Sequence, residues 1–167
     1  AGTQTAALAF GGLTPPLTAL TEKYNGTSWT EVGDLNTARY SLGGAGTQTA
    51  ALGFGGDSPP RAVTESFDGT SWTEVGDLND PRGYGAGCGT STAALMVSGD
   101  YPATANVEQW NGSSWTEIAN VNTAVFRNAA AGTVTAAVKF AGQPGNAQTE
   151  NWNGSSWTEV ADLSPVR

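Results

Sequence analysis

One phrase is written four times along this chain: NGTSWTEVGDLN at 25–36, DGTSWTEVGDLN at 68–79, NGSSWTEIANVN at 111–122 and NGSSWTEVADLS at 153–164. Its tryptophans, Trp29, Trp72, Trp115 and Trp157, stand 43, 43 and 42 residues apart. A second series keeps the same period, with AGTQTAAL at 1–8 and 45–52, CGTSTAAL at 88–95 and AGTVTAAV at 131–138. A catalytic site is needed once, whereas a building unit recurs as often as the building requires, so the period reads as architecture. Helical repeats need sustained 3.6-residue periodicity. Here the apolar runs are short, often alternating, and broken by Gly, Pro or Asn-Gly, which points to strands.

The unit at 39–78 is the clearest. RYSLGGAGT reads as a strand of small residues that turns at Thr47-Gln48-Thr49, and TAALGFGG as a second strand apolar enough to be buried on both faces. DSPPRA is a loop, because prolines cannot donate to a ladder. VTESF is a third strand, Asp68-Gly69 opens a tight turn, and SWTEV is the fourth strand. Four antiparallel strands make one propeller blade. The fold expected is all-β: a single domain over 1–167 of four such blades, at 1–38, 39–81, 82–124 and 125–167.

These residues resemble the kelch repeat of β-propellers. The resemblance rests on Gly11-Gly12 and Gly55-Gly56 after the second strand, on the aromatics ending the third strand (Tyr24, Phe67, Trp110, Trp152), on the Trp opening the fourth, and on Arg39 and Arg82 before the first strand. It covers essentially the whole chain. The Gly-Gly pair becomes Ser98-Gly99 and Ala141-Gly142 in later units, and Val125 stands in the Arg position of one of them. Kelch-like propellers include copper-radical oxidases, which need His ligands, and this chain has no His.

Small residues in the first strand of each unit (Gly43, Gly44, Ala45; Ala129, Ala130, Ala131) suit a crowded zone near a central axis. Trp29, Trp72, Trp115 and Trp157, with Tyr24, Phe67, Trp110 and Trp152, are expected to fill the wider space between outer blades, where large aromatic rings bury most area. The first unit lacks most of its first strand by this alignment. The units therefore make either a closed small ring with one gap or a segment of a larger propeller, and we expect the segment, completed by further chain or by a partner, since open blades expose strand edges.

Only 13% of residues are charged and the net charge is −8. Seven scattered basic residues do not make a phosphate-binding surface, which argues against nucleic acid and anionic membranes. No apolar run approaches the roughly 20 residues of a membrane span, so membrane insertion is not expected. Cys88 is the single cysteine and occupies the position of Ala45, so it reads as a small buried filler. Without His the commonest general base and metal ligand are gone, and no EF-hand spacing or phosphate loop replaces them. Neither an enzyme nor a cofactor or metal site is expected. Glu31, Glu74, Glu117 and Glu159, with Asp34, Asp77 and Asp162, recur symmetrically and read as solvated edge charges rather than catalytic carboxylates. Asn25, Asn111 and Asn153 fit glycosylation sequons, but Asp68 replaces Asn in one repeat and keeps the turn, so a turn explains all four.

Variation concentrates between the second and third strands: LTPPLTALTEK (13–23), DSPPRAVTES (57–66), DYPATANVEQ (100–109) and QPGNAQTEN (143–151). These loops and the connections between units emerge on one face of an up-and-down blade, and loops on a rigid scaffold are where recognition resides. Pro15, Pro16, Arg61, Arg82 and Tyr101 are the candidate binding residues. The composition, rich in Thr, Ser, Gly and Asn, is similar to that of repeat regions of phage virion fibres and bacterial surface proteins. That likeness implies a non-enzymatic structural or adhesive module on a virion or cell surface, with protein partners or self-assembly. A lectin-like carbohydrate-binding domain is the alternative.

Overall fold

The structure, a computed structural model, describes residues 1–57, 61–100, 102–144 and 147–164. It holds four sheets of four antiparallel strands each, and no helix among the described residues. The first sheet is β1 (Gly2–Thr3), β2 (Ala6–Leu13), β3 (Leu17–Tyr24) and β4 (Trp29–Glu31); the second is β5 (Gly43–Thr47), β6 (Ala50–Phe54), β7 (Thr64–Phe67) and β8 (Trp72–Glu74). The third is β9 (Ala86–Gly89), β10 (Ala94–Gly99), β11 (Thr104–Trp110) and β12 (Trp115–Ile118), and the fourth β13 (Ala129–Thr133), β14 (Ala136–Phe140), β15 (Thr149–Trp152) and β16 (Trp157–Val160). Strands pair in chain order within every sheet, an arrangement consistent with four propeller-like blades.

The recurring phrase does four jobs. Its turn residue, Asn25, Asp68, Asn111 or Asn153, accepts backbone N–H bonds at 2.8–3.0 Å from the second and third residues after it. That turn sets Tyr24 opposite Trp29, Phe67 opposite Trp72, Trp110 opposite Trp115 and Trp152 opposite Trp157, with ring centroids 5.0–5.5 Å apart. Asp34, Asp77 and Asp162 each accept the backbone N–H of Thr21, Thr64 or Thr149 in their own sheet's third strand. The last residue ties one sheet to the next. Asn36, Asn79 and Asn122 donate through backbone and side-chain N–H to Glu65, Glu108 and Glu150 of the following sheet, at 2.6–2.8 Å.

Those three glutamates are at most 1% exposed. Each is neutralised, Glu65 by Arg39 at 3.2 Å, Glu108 by Arg82 at 2.6 Å and Glu150 by Lys139 at 3.3 Å. A buried carboxylate needs such a partner.

Three apolar layers lie between consecutive sheets. Leu8, Phe10 and Leu35 of the first meet Phe67 and Trp72 of the second. Leu52, Phe54 and Leu78 then meet Met96, Trp110 and Trp115, and Leu95, Val97, Val107 and Val121 meet Trp152 and Trp157. Small residues in the inner strands allow close approach: a Cβ on Gly87 of β9 would stand 2.6 Å from the backbone of Gly44 of β5. Cys88 is buried as expected.

Trp29 departs from expectation. It is 48% exposed, against 5–6% for Trp72, Trp115 and Trp157, because among the described residues no sheet packs on its side of the first one. Tyr24, its cross-strand partner, is only half-buried.

Candidate functional site

The connections between sheets build a concave surface that gathers polar and aromatic side chains. The backbone of Tyr40 exchanges hydrogen bonds with that of Asp57, the backbone of Phe126 does so with Gln143, and Asp100 N–H donates to the Gly83 carbonyl. The residue after each strap, Ser41, Tyr84 or Arg127, is held in the left-handed region at φ of 54°, 56° and 56°. Such angles are uncommon for side-chain-bearing residues and need support from their surroundings. Here the support is a relay: Tyr84 N–H donates to Ser41 O at 2.9 Å, and Arg127 N–H to Tyr84 O at 2.6 Å. Successive sheets are thereby stitched together, while the side chain at that position changes from hydroxyl to phenol to guanidinium.

The phenols of Tyr40 and Tyr84 both donate to Asp57 Oδ2, at 2.7 and 2.9 Å. The bonds from Tyr84 and Asp57 push the Tyr40 phenol well above its ordinary pKa. Arg127 lies over the rings of Tyr84 and Phe126, with its guanidinium carbon 5.2 and 5.6 Å from their centroids. Arg61 pairs with Asp100 and stands 3.8 Å from Asp57. Asp57, Arg61, Tyr84, Phe126, Arg127 and Gln143 line a cavity of about 530 Å³. It presents flat ring surfaces flanked by planar donors and one carboxylate, with two guanidinium groups at its wall.

Of the candidates from sequence, Arg61 lies in this wall. Pro15 and Pro16 are exposed in the β2–β3 loop and do not line the cavity. Arg82 is corrected: it is fully buried, its guanidinium bound to Glu108 and to the carbonyls of Ser98 and Asp80, so it fastens its connection to the third sheet instead of meeting a ligand. Tyr101 lies outside the described residues. Tyr84, Phe126, Arg127 and Gln143 were not foreseen. Tyr84 and Arg127 carry a signal in the position two residues past the Arg position of each unit, where Ser41, Tyr84 and Arg127 differ between otherwise similar repeats.

The repeated carboxylates Glu31, Glu74, Glu117 and Glu159 are exposed on the outer strands, away from this cavity. The chain matches no family model and no curated protein.

Proposed function

We propose that this protein is a non-enzymatic structural and adhesive module, a section of a kelch-like propeller within a virion or cell-surface assembly, which presents its connection face to protein or glycan partners. The observation that carries this reading is the cavity walled by Tyr84, Phe126 and Arg127. The relay of backbone bonds fixes the equivalent positions Ser41, Tyr84 and Arg127 of three units, while the side chain there differs in each. A scaffold that holds position constant and lets chemistry change is what a recognition surface needs.

A lectin-like role is the second reading, favoured by the same groups. Tyr84 and Phe126 give the cavity apolar aromatic wall for the C–H face of a pyranose ring, and Arg61, Arg127 and Gln143 offer donors to hydroxyls or a sugar carboxylate.

Both are tested by titrating neutral and acidic oligosaccharides, and immobilised surface proteins, against the wild-type chain and the Arg127→Ala variant. Binding lost in the variant with an unchanged circular-dichroism spectrum supports the cavity as the site. A sugar that binds equally well to Arg127→Ala places recognition elsewhere, and silence across both panels counts against an adhesive role.

A further inference from the structure

The two end sheets carry opposite halves of the contact that joins the inner ones. In the first and second sheets, Phe10 with Thr21 and Phe54 with Thr64 form the receiving half. Trp72 packs on Phe10 with centroids 4.8 Å apart and donates its Nε1–H to Thr21 Oγ1 at 2.9 Å. Trp115 does the same on Phe54 and Thr64, again at 4.8 and 2.9 Å. The third sheet has Val97 and Val107 there, and Trp157 donates to the Ala119 carbonyl instead.

The fourth sheet returns to the first pattern, with Phe140 and Thr149. Thr149 Oγ1 is buried with no hydrogen-bond partner among the described residues, although its counterparts in the first two sheets both accept an indole. Around it Ala131 and Val160 are exposed, whereas the residues equivalent to them in the second and third sheets, Ala45, Cys88, Val75 and Ile118, belong to the inter-sheet layers. At the other end, Trp29 is half exposed and its Nε1–H has no acceptor among the described residues. Glu22, equivalent to the buried Glu65, is exposed beside Leu20 at 48%. One end lacks a donor indole and the other lacks its acceptor.

We infer that two copies of this chain associate head to tail, Trp29 of one copy packing on Phe140 and donating to Thr149 Oγ1 of the other. The occupant is a second copy because the chain itself carries both halves, and the same joint already holds its own sheets together. Such an interface is heterologous, and two copies joined at both ends form a closed ring. Closure covers both exposed faces and removes the uncapped ends that a stack of sheets otherwise presents.

This inference rests on the propeller reading, and its test separates the two. Trp29→Ala and Val160→Asp each alter one end at a partly exposed position, so each variant retains its fold, checked by circular dichroism. Sedimentation velocity at tens of micromolar is expected to show the wild-type chain as two copies or more and each variant alone as a monomer. Mixing the variants restores a one-to-one complex, since one intact end remains on each. A monomeric wild type, association that survives both substitutions, or a mixture that stays monomeric overturns the inference. Arg127→Ala leaves association unchanged, so binding that depends on Arg127 in a monomeric chain would sink the assembly and spare the adhesive reading.

Discussion

Lys139 Nζ stands 3.3 Å from Glu150 Oε1, both at most 1% exposed, and supplies from β14 the charge that Arg39 and Arg82 supply from the inter-sheet connections. The repeat that has Val125 in the Arg position thus pairs its buried carboxylate with a cation from a different strand. The equivalent positions in the second and third sheets, Gly53 and Met96, carry no charge. Lys139→Met therefore strands Glu150 and is expected to lower stability by about 3–5 kcal/mol. Urea unfolding reads the loss, and a change under 1 kcal/mol would show that the Asn122 donors suffice alone.

Thr64→Val should leave the Trp115 indole buried without an acceptor, at a cost of about 1–3 kcal/mol. The same residue type is native at position 107, where Trp157 has turned to a carbonyl. Denaturant midpoints of Thr64→Val and Thr64→Ser check this, with Ser expected to recover most of the loss because it keeps the hydroxyl.

Burial pushes the Cys88 thiol up to about 11. A folded-state value above the unfolded value near 9 means that the fold favours the neutral thiol. The contribution is present below about pH 9 and is lost as pH rises through about 11, by up to ~3 kcal/mol. Wild type and Cys88→Ala should therefore diverge only in that alkaline window when thermal unfolding is followed against pH. At neutral pH the folded chain should react with a disulfide reagent far more slowly than the unfolded chain.

Asp57 accepts both phenols, so Asp57→Asn should bring the Tyr40 titration down towards the ordinary tyrosine range while leaving the sheets intact. Ultraviolet titration of the phenolates is the check, and an unmoved curve would mean that contact with Tyr84 alone sets it.

What was legible in the sequence is what depends on local neighbours. The period, the four-strand order, the turn at Asn25 and its equivalents, and the aromatic pairs each follow from residues a few positions apart. Trp29 was not legible, because its neighbours spell the same words as those of Trp72 and only what lies behind the sheet distinguishes them. Arg82 stood out as a motif, but its partner Glu108 lies in another strand 26 residues on, so a structural cation was taken for a ligand contact. The cavity was half legible: the variable stretches beginning at Asp57 and Gln143 marked the correct face. Tyr84 meets Phe126 and Arg127 there only because the left-handed relay joins their two connections, and nothing in their immediate sequence encodes that meeting.

The most direct measurement is hydrogen exchange of the indole Nε1–H groups, resolved by NMR in the Val160→Asp variant, where association is blocked. Strong protection of Trp72, Trp115 and Trp157, with Trp29 exchanging at the rate of free solvent, is the expected result if the recurring indoles bond one sheet to the next. Rapid exchange at all four would contradict it.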